Sequence, residues 1–341
     1  MRTALISGIT GQTGSYIAEQ LLAYGYQVHG LVRRSSTLNR GRIDHLKNVL
    51  NPQDGQLFLH YADLSDTTQI RRILLQVNPD EFYHLAGQSH VGLSFDLAES
   101  TCLEIAFSTL SILEILRDLS NPPRFFHASS SEVFGASANT PQNEMSAFRP
   151  LNPYGCAKAF ATNIIRVYRD SYGLYLCNGI LYNHESPRRG ENFVTKKIAM
   201  AAAGMSRTKT DVLELGNLSA CRDWGYAPEF ASGIIKSLQV ESPSDYVFST
   251  GVLTSVRQFA KSAFHAVGVD IAFEGSGTEE VAFECSTGMP IIRVNPRFYR
   301  PLDSNNLVGD SSKASEILKW SPSTVGPDVA RVMALAEVSL A

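Results

Sequence analysis

The sequence predicts an α/β protein: a doubly wound parallel sheet followed by a smaller α/β C-terminal lobe. Three observations predict it. Short β-rich runs alternate with amphipathic helical patterns through the first half of the 341 residues. A glycine-punctuated turn follows the first of those runs. From about residue 183 the chain turns polar and irregular. Strands and helices alternating at this interval form right-handed βαβ units, whose strands lie parallel.

The elements follow in order. "TALISG" (Thr3–Gly8) reads as a buried strand, and "GSYIAEQLLAYG" (Gly14–Gly25) as an amphipathic helix with a glycine C-cap. "QVHGLVRR" (Gln27–Arg34) is a second strand, and a third short strand precedes Asp63. Asp66 caps the helix "TTQIRRILLQV", which Pro79 stops soon after. "EFYHLAG" and "RFFHASS" are further strands, joined by the crossover helix "STLSILEILRDL". "YLCNGILYN" (Tyr175–Asn183) is a late strand of the same sheet. The polar run "NHESPRRGENF" then leads to the helices "VTKKIAMAAAGM" and, later, "SVRQFAKSAFHAVG". "WGYAPEFASGIIKSLQ" could return a helix to the first lobe. The expected division is 1–182 with a returning segment near 222–250, against a second lobe made mainly of 183–341.

A 44% hydrophobic share can bury one large core or two smaller ones. A net charge of −3 argues against a nucleic-acid-binding surface. Five cysteines (Cys102, Cys156, Cys177, Cys221, Cys285) lack C-x-x-C spacing. They read as reduced thiols of a cytoplasmic protein, with neither a disulfide framework nor a metal site. The N-terminus turns to glycine too soon for a signal peptide, and no apolar run approaches membrane-spanning length.

"GITGQTG" places Gly8, Gly11 and Gly14 between a strand and a helix. Glycines there permit a tight turn and close approach of a pyrophosphate to the helix N-terminus, as in Rossmann-type folds. A glycine-rich turn can also be only a turn. The end of the second strand selects the nucleotide. It carries Arg33 and Arg34, then Ser35 and Ser36, where an acid would accept from a ribose hydroxyl. This set suits the 2′-phosphate of NADP; the bland reading is a solvated basic turn. Asp63 and Leu64 would flank the adenine. Leu85, Ala86, Gly87, Gln88 and Ser89 end the fourth strand where the nicotinamide ribose should lie.

"YGCAK" sets Tyr154 and Lys158 one helical turn apart on one face. Lys158 can bond the ribose and lower the Tyr154 pKa, so that Tyr154 acts as a base near neutral pH. Ser130 and Ser131 stand at a strand end upstream. Glu132, directly after them, makes sense if a second proton must move. A ketone formed on a sugar acidifies the neighbouring C–H, and a carboxylate can then remove that proton as a hydroxyl leaves one carbon further. The bland reading is a loop cap or a partner for an arginine. Cys156 reads as packing, and His90 and His127 as satisfied near the core. His184 either touches the cofactor or makes a structural hydrogen bond.

With these residues in place, the chain resembles the extended short-chain dehydrogenase/reductases, and more narrowly the GDP-mannose 4,6-dehydratases. The resemblance runs almost end to end. It is carried most specifically by "HGLVRRSS", "YADLSDT", "SHVGLSFDLAE", "NGILYNHESPRRGENFVTKKI", "LGNLSACRDWGYA" and "VNPRFYRP". It implies an NADP-dependent internal redox reaction that yields a 4-keto-6-deoxy sugar nucleotide. Ser130, Glu132, Tyr154 and Lys158 would be the catalytic set. The implied cofactor contacts are Gly8, Ile9, Thr10, Gly11, Gln12, Thr13, Arg33–Ser36, Asp63, Leu64, Leu85–Ser89, Tyr154, Lys158, His184 and Arg189.

The substrate side would use Ser89, Ser131, Asn183, Glu185, Lys197, Gly216, Arg222, Arg300 and Asp303, in a cleft between lobes. The resemblance further implies a homotetramer, a dimer of dimers with the 33–45 loop at its interface. Thr13, Ser100, Ser130 and Asp303 depart from the family's usual Asp, Tyr, Thr and Glu. Those departures leave room for a related GDP-sugar such as a heptose. A sugar-nucleotide 4-epimerase or 4-keto-reductase is the rival enzyme reading, and neither needs Glu132. A sensor without turnover would be expected to lack Tyr154, Lys158 or Glu132.

Overall fold

The computed structural model describes residues 1–34, 40–47, 56–137, 139–205, 212–298 and 307–340. The chain divides into two compact units. One is Met1–Tyr182 with Ala227–Phe248 and Asp310–Ser321; the other is Asn183–Tyr226 with Ser249–Gly309 and Pro322–Ala341.

The strands of the first unit are β1 (Thr3–Ser7), β2 (Gln27–Val32), β3 (Leu57–Tyr61), β4 (Glu81–His84), β5 (Arg124–Ser130) and β6 (Leu176–Leu181). Three strands of the second unit intervene in the chain: β7 (Asn183–Glu185), β8 (Leu213–Leu215) and β9 (Cys221–Tyr226). β10 (Asp245–Phe248) then completes the first unit's sheet. Its order is β10-β6-β5-β4-β1-β2-β3, parallel throughout. This is the doubly wound Rossmann-type arrangement, and the strand order reverses between β1 and β4.

Successive residues of each strand face opposite helical layers. Ala4, Ile6, Tyr83 and Phe126 pack with Ile17 and Leu21 of α1 (Gln12–Ala23). Leu5, Phe82 and Phe125 pack with α2 (Thr67–Val77) on the other face. Two short helices, α3 (Leu93–Asp96) and α4 (Ala98–Cys102), lead into a π-helical turn at Leu103–Phe107. α5 (Ser108–Asp118) and α6 (Pro153–Tyr172) join α2 in its layer.

Local chemistry sets the boundaries. Asp66 accepts from Gln69 N at 2.9 Å and caps α2, and Asn78 ends that helix at φ 43°. α1 begins at Gln12, two residues ahead of the expected Gly14, with Gly11 as its N-cap. Gly14 is needed for close packing instead: a Cβ there would sit 2.3 Å from the Gly8 oxygen. The expected strand Tyr175–Asn183 is split. Pairing with β5 ends at Leu181, and Asn183 opens β7 beside β9 in the second unit.

The second unit carries α7 (Val194–Met205), while α8 (Ala227–Ser237) belongs to the first and packs Phe230 and Ile234 on the α1 side of its sheet. Parallel β7–β9 is extended by antiparallel β11 (Leu253–Ser255). α9 (Val256–Ala266) starts at a capping box made by Ser255 and Gln258. β12 (Ile271–Glu274), β13 (Val281–Glu284) and β14 (Pro290–Val294) form a second sheet with β8. α10 (Ser312–Leu318) lies in the first unit, a second return that the sequence reading did not single out. The reason is Trp320, whose ring meets Phe230 at 5.5 Å and Phe248 at 5.0 Å. α11 (Gly326–Leu340) closes the second unit's core with Val329 and Met333.

Asp223, buried on β9, organises loops of this second unit. Its carboxylate accepts from the backbone N–H of Thr250 (2.8 Å), Gly251 (2.9 Å) and Gly309 (3.3 Å), and from Thr250 Oγ1 at 2.5 Å. Among the described residues, no helix is long and apolar enough to cross a membrane. None form a cluster of three or more His, Cys, Asp or Glu that could hold a metal ion.

Candidate active site

The glycine turn is built by backbone. Gly8 has φ 74°, which glycine tolerates, and Gly11 N donates to Gly8 O at 2.9 Å. A Cβ on Gly8 would lie 2.9 Å from Ala86 N, so the turn sits directly against the loop after β4. Ile9 and Gln12 are buried, Thr10 and Thr13 partly so, and the N-cap residue of α1, Gly11, has no side chain to cap it. These features fit a pyrophosphate: backbone can come close, and the helix end presents its amide dipoles.

Arg33 and Arg34 are exposed just beyond β2, while Ser35 and Ser36 lie outside the described residues. Asp63 follows β3 and is turned onto Ser65, accepting from its N and Oγ at 2.9 and 2.7 Å. Those bonds, with a smaller contribution from Arg33, hold its carboxyl below the usual carboxylate range. Leu64, Leu85, Ala86 and Gln88 are half-buried, and Gly87 and Ser89 are exposed. Gln88 is folded back onto the backbone of His90. Arg42, missed by the sequence reading, donates from Nη1 to the Thr10 carbonyl at 3.3 Å. Its signal was the basic run "RRSSTLNRGR".

β5 delivers the three serines. Ser129 is spent on Thr162 of α6, Oγ to Oγ1 at 2.6 Å. Ser130 Oγ accepts from Glu132 N at 3.2 Å, capping the short turn Ser131–Val133. Ser131 is buried and Glu132 half-buried. Glu132 Oε2 accepts from Asn152 Nδ2 at 2.8 Å, and Asn152 Oδ1 accepts from Gly155 N at 2.8 Å as the N-cap of α6. Asn152 was also missed, although Asn before Pro153 is a recognisable helix start.

On α6, Tyr154 and Lys158 are both buried. Lys158 Nζ donates to the Ala128 carbonyl at 2.6 Å and lies 5.8 Å from the Tyr154 ring centroid. Burial pushes the lysine ammonium down to about 8. The pair, Ser130 and Glu132 therefore share one strand end and one helix start. Such a group can take a proton from a hydroxyl, and a carboxylate beside it can take a second one from carbon.

The remaining residues belong to the second unit. Asn183 and His184 lie on β7, and Arg222 on β9 donates to the Cys221 carbonyl at 2.7 Å. Lys197 on α7 sits 5.5 Å from the Phe298 ring centroid. Gly216 admits the Phe298 backbone, whose oxygen would be 2.3 Å from an added Cβ. Arg189 lies on Phe193 and pairs with Glu185 at 3.0 Å. Glu185 is 2% exposed and also accepts from Thr195 Oγ1 at 2.7 Å, so its carboxylate is engaged within the unit. Burial raises its pKa. Arg300 and Asp303 lie outside the described residues.

Residues 5–333 match a family model described as GDP-mannose 4,6 dehydratase. A GDP-mannose 4,6 dehydratase of Drosophila melanogaster is 45% identical over 342 residues, covering 99% of this chain and 87% of the relative. The GDP-mannose 4,6-dehydratase of Sinorhizobium fredii (strain HH103) is 46% identical over 340 residues, covering 99% and 97%. That of Homo sapiens is 44% identical over 342 residues, covering 99% and 91%. Among solved structures, UDP-glucose 4-epimerase from Bifidobacterium longum in complex with NAD+ and UDP superposes with a TM-score of 0.80. It is 21% identical, over 99% of this chain and 98% of that one. RMD from Pseudomonas aeruginosa complexed with NADPH gives 0.75 at 19% identity, covering 99% and 100%. At these identities the structural likeness is one of fold.

Proposed function

Because this chain belongs to the GDP-mannose 4,6-dehydratase family, we propose that it converts GDP-mannose to GDP-4-keto-6-deoxymannose and water, as a hydro-lyase using NADP. NADP held by the glycine turn and the Leu85–Ser89 loop would supply hydride acceptance at C4 of the hexose and hydride return at C6. Tyr154 accepts the C4 hydroxyl proton, with Ser130 hydrogen-bonding that oxygen and Lys158 supplying positive charge beside the ring. Glu132 then removes the C5 proton and passes it to the departing C6 hydroxyl, which leaves as water. Tyr154 can then return the proton it took from the C4 hydroxyl to C5 as C6 is reduced, which restores its starting state.

The observation that carries this reading is Glu132 fixed by Asn152 at the cap of the Tyr154 helix. An epimerase or keto-reductase has no step for that carboxylate. The glycine cradle and the pair Arg33 and Arg34, with no acid at that strand end, support NADP over NAD. In this reading Ser131 and Ser89 contact the sugar, and His184 and Arg189 contact the cofactor. Asn183, Lys197, Gly216, Arg222 and Arg300 take the GDP portion, with Asp303 where the family usually has a glutamate. Scattered free cysteines support a cytoplasmic protein. The family resemblance supports a homotetramer.

The test is incubation with GDP-mannose without added NADPH, read by NMR. A 4-keto-6-deoxy product without net cofactor consumption is expected. Stoichiometric NADPH use, or inversion at C4 alone, would overturn the assignment. GDP-linked heptoses run in parallel define the sugar.

A further inference from the structure

His84, the last residue of β4, is 2% exposed and has no step in the chemistry above. Its Nδ1 lies 2.8 Å from Ser7 Oγ, and its Nε2 lies 3.4 Å from Thr109 Oγ1. Counting protons assigns every role. Ser7 Oγ accepts from the backbone N–H of Ala86 at 3.3 Å and from that of Leu85 at 3.1 Å, the latter shared with the Ser7 carbonyl at 3.2 Å, so both its lone pairs are engaged. Its single proton therefore points to His84 Nδ1. Thr109 gives its own proton to the Ile105 carbonyl at 2.6 Å, so its oxygen is left to accept from Nε2–H. A neutral imidazole protonated on Nε2 satisfies this set.

The surroundings enforce that state. Burial and the nearby positive charge of Lys158 make protonation unfavourable and push the His84 pKa down to about 3, and the His127 ring lies tilted beside it at 5.8 Å. The relay begins in the π-helical turn, which supplies the Ile105 carbonyl. It ends on the amides of Leu85 and Ala86. Ile105 also closes on Gly87, whose added Cβ would lie 3.2 Å from Ile105 Cγ1. Ser7 directly precedes Gly8, so one hydroxyl joins the glycine turn to the loop after β4.

We propose that His84 is a positioning residue, which orients Ser7 so that the Gly8 turn and the Leu85–Ser89 loop keep the spacing a nicotinamide cofactor needs. This rests on the reading of those two loops as the cofactor site. His84→Asn keeps an acceptor where Nδ1 stood, whereas His84→Gln reaches only toward the Nε2 position. Using the full-length protein, one would measure NADPH dissociation by fluorescence and the NADP+ concentration giving half-maximal turnover. His84→Gln and Ser7→Ala should each weaken cofactor binding roughly tenfold, the loss of about one hydrogen bond, with kcat at saturating NADP+ little changed. His84→Asn should stay close to wild type, and the Ser7→Ala/His84→Gln double variant should be no worse than the weaker single one.

Equal losses in His84→Asn and His84→Gln would mean that the site reads only packing, and would overturn the proposal. So would additive losses. Wild type that binds normally, together with a His84→Gln variant that binds equally well, overturns the positioning role alone. Wild type that binds no nicotinamide overturns it together with the cofactor reading. Independently of any variant, 15N NMR of histidine-labelled wild type should show an Nε2–H tautomer that does not titrate between about pH 5 and pH 8. A titration of that ring near the ordinary histidine value of about 6.5 would also sink it.

Discussion

Asn152 holds Glu132 with one end of its amide and caps the Tyr154 helix with the other, at 2.8 Å in each case. The carboxylate and the phenol are thereby indexed to the same helix start. A shift of either would be felt by both.

Replacing Asn152 separates these two duties. Asn152→Ala loses both, and should lower stability by about 1 kcal/mol while reducing dehydration. Asn152→Asp keeps the cap but sets a carboxylate against Glu132. Calorimetry should find it near wild type in melting temperature, yet slower than Asn152→Ala in product formation.

Glu132→Gln should bind NADP as wild type does and still oxidise C4, then stop. A loss of about 10²–10⁴ in turnover is the usual scale for removing a proton-transfer group. The check is deuterium incorporation from solvent at C5 of the hexose, which should vanish. Full turnover by this variant would contradict the role.

Lys158 predicts a pH dependence of definite sign. Its ammonium is depressed to about 8, so the charge beside Tyr154 is lost as pH rises through that value. The kcat/KM of the free enzyme should fall on the alkaline side near pH 8. Stability moves the other way. Below about pH 8 the folded state carries the whole burden of a buried charge, and between there and the unfolded value of 10.5 that burden is relieved. Lys158→Arg should carry the activity limb to higher pH, if the longer side chain is accommodated.

Arg33 and Arg34 are exposed beyond β2, so their removal should leave the fold intact. The double change to Ala should weaken NADP binding by roughly tenfold or more while leaving NAD binding nearly unaltered, as expected for loss of charge-assisted contacts to a phosphate. Competitive binding of the two nucleotides reads this directly.

The legible parts of this molecule are those encoded within a few neighbouring residues. The strand–glycine–helix order announces the doubly wound sheet, and four-residue spacing places Tyr154 and Lys158 on one helix face. Asp66 as a cap is visible for the same reason. What escaped notice depends on pairs far apart in sequence. Ser7 meets His84 only because β1 and β4 are neighbours in the sheet, and Arg42 meets Thr10 from 32 residues away. Glu132 and Asn152 are twenty positions apart, joined by the close approach of the Ser131–Val133 turn to the start of α6. The assignment of Asp310–Ser321 turned on Trp320, whose two aromatic neighbours lie about seventy and ninety residues upstream.

Asp223 bears on how this architecture can be rebuilt. Of the five points where the chain passes between the units, three are Tyr226/Ala227, Phe248/Ser249 and Gly309/Asp310; Asp223 lies three residues before the first of these, and the groups it bonds lie beside the other two. Three splice sites are thus stapled by a single side chain. A chimera that transplants the second unit must bring Asp223, Thr250, Gly251 and Gly309 from the same parent, or an ionised oxygen pair is sealed in without its donors.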